Sequence, residues 1–409
     1  MSEKKRKGTP LWQISKKFNF AAEKIIPDSF VFCVVLTLVV AVLSLTVCHI
    51  GPVELLTSWW DGLSSQFTLA FQMGLMVVVC ATCARSPQVS KLLDGLSGLV
   101  HTRVAALILL MAFGYVSSML NWAFCTIVTP ILAMQLAKRV KGLHFPMMVA
   151  GGYCCMILGQ CLGPSATLYS NLATEGSNYA EIVGKTMTVA ETCYNPVNVV
   201  LWVILAVCFI VLVLFTQPGD DELVELRSIA TQADVAPKDY QSREKATTPA
   251  EKMNTCKPIM WVVGAAIFIY IIYSIATKGF FATLNMNMVI FMFVGINCFL
   301  FPQPHSWMEA HTDSMHLATD VILQFPFYGA IMGMMYVEGG LGSVIVNAIV
   351  SVATAQTMPI FSFLSACIVN LFIPSQGGQF TVQGPLIVQA AQSIPGTNLV
   401  NCLNGFVFG

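Results

Sequence analysis

Apolar windows of 18 residues or longer recur along this chain, beginning with "SFVFCVVLTLVVAVLSLTVCHI" at 29–50. A helix needs about 20 such residues to cross a hydrocarbon core, and in lipid only helices and closed barrels satisfy their own backbone. Repeated runs of this length predict an all-α polytopic membrane protein. Only 10% of the 409 residues are charged, against about 25% in an ordinary soluble domain. Net charge is zero, so nothing points to nucleic acid as a partner. The start, "MSEKKRKGTPLWQISKKFN", is basic but lacks a short apolar core and a cleavage site. Residues 1–28 therefore read as a cytosolic tail, not a signal peptide. The 14 cysteines are scattered through the spans, and the Cys80–Cys83 C-x-x-C has no second pair. They read as small buried apolar side chains.

Further spans are expected near 67–84, 145–162, 197–215, 258–277, 285–302 and 319–336, with apolar segments at 341–371, 380–393 and from 398. The segment 51–66, with two Trp and two acids, reads as interfacial. Lys and Arg mark the cytosolic side. With residue 1 inside, 29–50 goes out and 67–84 returns, which places Arg85, Lys91 and Arg103 inside. The region 104–137 has basic residues at both ends and a polar middle, "YVSSMLNWAF". Its arms of about 14 residues would span roughly 21 Å, short of a hydrocarbon core of about 30 Å. It reads as a re-entrant hairpin with its tip at Ser117–Trp122. Two ordinary spans joined by a tight outer turn are the alternative.

An internal repeat organises the chain. "FQMGLMV" (71–77) and "PFYGAIM" (326–332) lie 255 residues apart, and so do "TPILAMQLA" (129–137) and "GPLIVQAAQ" (384–392). At about the same offset "SSMLNW" falls near "PSQGGQF". The expected organisation is a first transmembrane repeat at 29–216 with hairpin 104–137, a cytosolic linker at 217–257 and an extra connecting span at 258–284. A second repeat follows at 285–409 with hairpin 341–393. The extra span inverts the second repeat, a design of many secondary transporters. Projected by the same offset, the break at 159–166 falls beyond Gly409, so the chain is expected to be incomplete at its C-terminus.

Non-helical backbone at membrane depth must be satisfied by protein or line a wet cavity. Three breaks stand out: Ser117–Trp122, "GQCLGPSA" at 159–166, and "PSQGGQFTVQGP" at 374–385. Pro164, Pro374 and Pro385 free backbone groups there, while Ser, Asn and Gln offer partners. No Asp, Glu, Lys, Arg or His lies in the interior of an expected span. Without H-E-x-x-H, a His at depth or an Arg ladder, neither an enzyme nor a voltage sensor is expected. Helix ends, amides and hydroxyls suit a small, singly charged anion, with carbonyl ends for a cation. Na+ held by neutral oxygens fits this inventory better than a proton. No other metal or cofactor is expected. The candidate substrate contacts are Ser118, Asn121, Trp122, Ser165, Ser375, Gly377, Gly378 and Gln379. The candidate cation contacts are Ser117, Asn121, Gly159, Gly163, Asn370 and Gln379.

The stretch at 374–385 resembles the P-S-G-G-G-Q-W-x-V-Q-G-P segment of the bacterial short-chain fatty acid transporter family, within the ion transporter superfamily. It matches at Pro374, Ser375, Gly377, Gly378, Gln379, Val382, Gln383, Gly384 and Pro385, and departs at Gln376 and Phe380. Ser118, Asn121 and Trp122 match an S-x-x-N-W element. Leu162-Gly163-Pro164-Ser165 resembles a G-L-S-G-S-type break, with Pro164 a departure. Thr192, Tyr194, Pro196 and Asn198 resemble its T-x-F-x-P-x-N segment. The resemblance implies inverted repeats, each with a re-entrant hairpin and a broken helix. It also implies an elevator-type, cation-coupled carrier, a homodimer in the bacterial inner membrane, and substrates such as butyrate or acetoacetate. Alternatives are a carrier of another small carboxylate (a dicarboxylate or an amino acid), a non-transporting membrane subunit, and a channel.

Overall fold

The computed structural model describes residues 7–229, 238, 240, 246–371, 373 and 375–409. Among the described residues every regular element is a helix. Seven of these helical stretches are long and apolar enough to cross a membrane. Local sequence explains where they start. Asp28 accepts a hydrogen bond from Phe30 N (2.9 Å) to begin Ser29–Thr46. Asn195 does the same from Val197 N (3.0 Å) at Pro196–Phe215, where Pro196 occupies the first turn. Both helices are apolar around their circumference and only 17% buried, so they present their faces outward, as lipid-facing spans do.

Burial is deepest in the stretch Pro52–Ala84, at 72% of its apolar window. Helix Pro52–Ser65 runs into Phe67–Ala84 through buried Gln66. This corrects the interfacial reading of 51–66. Its acids Glu54 and Asp61 are exposed, but the opposite face, with Leu55 and Gly62, packs on Thr319–Met335. The crossing has no room for side chains. A Cβ at Gly62 would lie 2.2 Å from Gly329 O and 2.9 Å from Gly333 Cα. Glycine is required here for close approach of backbones, the usual device where lipid gives helices no hydrophobic reason to associate.

Two cores result. One gathers Arg103–Leu120, Trp122–Arg139, Phe145–Leu162 and Pro196–Phe215, around Leu110, Leu132 and Cys155. The other, larger core joins Phe67–Ala84, Met286–Leu300, Thr319–Met335 and the C-terminal helices.

Arg103–Leu120 and Trp122–Arg139 pack on each other and are joined by one residue, Asn121. The expected tip of Ser117–Trp122 shrinks because Ser117 and Ser118 stay helical, their hydroxyls donating to Gly114 O (3.0 Å) and Tyr115 O (2.9 Å). Each arm has 18 residues, not about 14. At 1.5 Å per residue that is about 27 Å, so arm length no longer separates a re-entrant hairpin from two spans. Thr102 lengthens the first arm by accepting from Ala105 N (3.2 Å).

The second hairpin region, 341–393, is three helices: Leu341–Val352, Met358–Asn370 and Gln376–Ser393. The apolar run 341–371 breaks at 353–357 because Thr354 and Thr357 cap each other. Thr354 N donates to Thr357 Oγ1 (2.8 Å), Thr357 N donates to Thr354 Oγ1 (3.3 Å), and Pro359 opens the next helix. Met358–Asn370 packs on Leu399–Phe408, where a Cβ at Gly405 would lie 2.4 Å from Pro359 O. Pro374 lies outside the described residues.

Part of the N-terminal tail is helical. Pro10–Ile25 is a helix, capped by Thr9 and docked on the 217–222 segment. The Lys16 ammonium and the Trp12 indole N–H hold the Glu222 carboxyl below its ordinary range.

The Gly62 crossing yields a prediction. Gly62→Val should lower thermal stability in detergent by an amount equivalent to about 1–3 kcal/mol. Gly95→Ala, at an exposed helical position with open space around its Cβ, should leave the melting temperature unchanged or raise it. Equal melting of both variants would refute the close-approach account.

Candidate functional site

Asn121 has extended backbone (φ −164°) between the two arms of the first hairpin, and its Oδ1 accepts from Ala123 N (2.7 Å) and Phe124 N (3.1 Å). It is the N-cap of Trp122–Arg139, which is why a single residue makes the turn. Its other polar end is unused. Asn121 Nδ2 and Trp122 Nε1 are both buried without a hydrogen-bond partner.

The hairpin tip rests on a broken helix. Phe145–Leu162 stops, four residues follow, and Thr167–Leu172 resumes. The break is 163–166, narrower than the expected 159–166, because Gly159 stays helical and its carbonyl accepts from Gly163 N (2.8 Å). A Cβ at Gly159 would sit 2.5 Å from Ser118 Cβ, and one at Gly163 would sit 3.0 Å from Ser118 O. Both glycines thus admit the hairpin backbone. In the break, Pro164 is half-buried, and Ser165 is buried with its hydroxyl unpartnered.

Interrupting a helix at depth strands N–H groups on one side and carbonyls on the other. Two glutamines answer the first set. Gln160 Oε1 accepts from Thr167 N (2.9 Å), Gln376 Oε1 accepts from Leu168 N (3.1 Å), and Gln376 Nε2 donates back to Gln160 O (3.1 Å). That Gln376 bond and Asn198 answer the second. Asn198 Nδ2 donates to Cys161 O (2.7 Å) and Cys193 O (2.6 Å), while Trp202 Nε1 adds a bond to Leu158 O (2.9 Å) one turn earlier. Asn198 Oδ1 is buried and unpartnered.

The other hairpin tip meets this break. Ser375 N-caps Gln376–Ser393 by accepting from Gly378 N (3.4 Å). A Cβ at Gly377 would fall 2.7 Å from Thr167 Cγ2, and one at Gly378 2.3 Å from Tyr328 Cε2. The Tyr179 hydroxyl donates to Gly377 O and lies 3.2 Å from Thr381 Oγ1. Phe380 is fully buried between Tyr179 (4.8 Å) and Phe406 (5.3 Å).

The structure therefore brings Ser118, Gly159 and Gly163 into one contact, and Gln376 and Gly377 against the break. Gln379 turns elsewhere: its Nε2 donates to Ala366 O (2.9 Å), and Gln383 Nε2 donates to Ser365 Oγ (2.7 Å), which ties the two arms of the second hairpin. Asn370 is exposed at the end of its helix. Pro385 sits inside Gln376–Ser393, as Pro130 sits inside Trp122–Arg139. Among the described residues no group of three His, Cys, Asp or Glu side chains could hold a metal ion.

Sequence reasoning passed over Tyr179, named Asn198 only as a motif match, and counted Gln160 and Gln376 only among the amides of the two breaks, Gln376 also as a departure from a family pattern. It also missed a cavity of about 200 Å3 lined by Ser65, Gln72, Asn171, Asn178, Tyr179 and Asn287. Gln72 Nε2 donates to Asn287 Oδ1 (2.8 Å) at its wall. Isolated amides within apolar runs were the available signal.

A family model described as short chain fatty acid transporter matches residues 11–404. An Escherichia coli K12 protein that carries the provisional name short-chain fatty acid transporter is 28% identical over 399 residues, 97% of this chain and 88% of that relative. A Haemophilus influenzae protein with the same provisional name is 27% identical over 391 residues, 93% of this chain and 86% of its own. A crystal structure of the Alcanivorax borkumensis YdaH transporter gives a TM-score of 0.48 at 18% identity, covering 93% of this chain and 86% of that one. A likeness that loose carries no argument.

Gln376→Ala leaves the Leu168 N–H without a partner inside the protein. It should destabilise the chain by about 1–3 kcal/mol, read as a lowered melting temperature in detergent. Melting unchanged from the parent would show that Leu168 N finds another acceptor.

Proposed function

Because the chain belongs to the short-chain fatty acid transporter family, we propose that it carries short-chain monocarboxylates such as butyrate across its membrane, in symport with Na+, by an elevator-type alternating-access mechanism. One observation carries the substrate assignment. Asn121 Nδ2 and Trp122 Nε1, on consecutive residues, are buried N–H donors with no acceptor, and the Ser165 hydroxyl in the break is also unpartnered. A buried donor left alone costs about 1–3 kcal/mol. A carboxylate is all acceptor and would complete them. They stand at the N-terminus of the 18-residue helix Trp122–Arg139, the end whose partial positive charge favours an anion.

The cation belongs at the opposite kind of helix end. Phe145–Leu162 points its carbonyl terminus at the break, and the unpartnered Asn198 Oδ1 adds an acceptor beside Cys161 O and Cys193 O. Neutral oxygens of this sort suit Na+. Inverted repeats are supported by matching contacts. Phe67–Ala84 packs on Trp122–Arg139, and Thr319–Met335 packs on Gln376–Ser393. Asn121 and Ser375 each cap the second arm of a hairpin, and Pro130 and Pro385 interrupt those arms at the same offset. Elevator motion would slide the core around the first hairpin against the larger core. Homodimer assembly in a bacterial inner membrane, with the N-terminus in the cytosol, belongs to the same reading.

The test is uptake of labelled butyrate into proteoliposomes, with Na+ and pH gradients imposed separately. Uptake should saturate and follow the Na+ gradient. Asn121→Ser keeps a capping oxygen and loses the free N–H, so melting should change little while uptake at low substrate falls about tenfold or more. Saturable uptake unaffected by Asn121→Ser would remove this residue from the site. Uptake that never saturates would point to a channel instead.

A further inference from the structure

Helix Pro10–Ile25 has two faces with different partners. Thr9 N donates to Gln217 O (3.0 Å), Gln217 N donates to Thr9 Oγ1 (3.1 Å), and Trp12 Nε1 and Lys16 Nζ bind the Glu222 carboxylate. The Trp12 ring meets His144 edge-on at 5.1 Å. This face holds the helix to the segment after Pro196–Phe215 and to the start of Phe145–Leu162.

Leu11, Ile14, Phe18, Ala21 and Ile25 follow the helical period and form a stripe on the other side. Among the described residues most of it stays open, with Ala21 partly covered. Ile14 is 51% exposed, Phe18 73% and Ile25 76%. The stripe leads, through 26–28, into Ser29–Thr46, whose own apolar surface is open on most sides. Exposed Lys17 and Lys24, seven residues apart, run along one edge of it. Residues 1–25 carry seven basic and two acidic side chains.

We propose that Pro10–Ile25 is an interfacial anchor, with its apolar stripe in the acyl boundary of the membrane surface and Lys17 and Lys24 on the headgroups of anionic phospholipids. Three observations select lipid as the occupant: continuity with a lipid-facing span, a docked opposite face that fixes the outward direction of the stripe, and basic side chains along its margin. An apolar face with a cationic edge is how such helices recognise anionic bilayers.

The test uses the full chain in nanodiscs of equimolar phosphatidylglycerol and phosphatidylcholine. Photocrosslinking from Phe18→p-benzoylphenylalanine is compared with crosslinking from Val39→p-benzoylphenylalanine, an outward position 47% exposed in the adjoining span. Adducts are identified by mass. Position 18 should label phosphatidylglycerol about fivefold over phosphatidylcholine, and position 39 should label both equally. Adding Lys17→Gln with Lys24→Gln should bring position 18 to equal labelling. Equal labelling at position 18 in the parent, no lipid adduct there while position 39 labels, or a crosslink to a second copy of the chain each overturns the proposal.

Discussion

A helix that stops inside a membrane must find hydrogen-bond partners for its loose ends without help from water. That demand organises the centre of this protein. The break at 163–166 exposes N–H groups at Thr167 and Leu168 and carbonyls at Gln160 and Cys161, and each of these is met by a side chain. Those side chains are all amides. They reach from the same helix, from the segment that follows it, and from the opposite hairpin. Polar residues placed in apolar runs thus serve the backbone first. What remains unsatisfied after that accounting is short: among the described residues around the break, Asn121 Nδ2, Trp122 Nε1, Ser165 Oγ, Asn198 Oδ1 and Asn404 Nδ2. A binding site is best sought in such a remainder.

Much of this was legible in the chain. Run length alone placed spans near 67–84, 197–215 and 258–277, where the helices Phe67–Ala84, Pro196–Phe215 and Lys257–Lys278 lie, because an apolar surface of that extent has nowhere else to go. Asn121 stood out as the polar residue at a turn. Other readings failed for physical reasons. Polar side chains suggested a broad tip at 117–122, yet Ser hydroxyls bond back to their own helix and do not interrupt it. The segment 51–66 looked interfacial by composition. Its character is decided by Gly62, whose missing side chain admits Thr319–Met335. Apolarity could not reveal the stop at 353–357, which depends on two threonines capping each other. Gln376 looked like a mismatch to a family pattern, and its role depends on Leu168, 208 residues away in the chain.

The glycines make a second connected system. Gly62 with Gly329 and Gly333 closes one crossing, Gly159 and Gly163 admit Ser118, and Gly377 and Gly378 let the second hairpin tip lie against Thr167 and Tyr328. Each contact joins segments far apart in sequence. In lipid, packing of this closeness replaces the hydrophobic drive that holds a soluble core together. The capping side chains can reach their targets because these glycines bring the backbones together.

The Gln376–Leu168 bond has a consequence for biogenesis. During synthesis the broken helix at Phe145–Leu172 enters the membrane long before residue 376 exists. Its second segment, Thr167–Leu172, then has Gln160 as a local cap and an open N–H at Leu168. The first half therefore leaves the ribosome with its central break unfinished, and the arriving second hairpin completes it. Order of assembly is written into which half owns the cap.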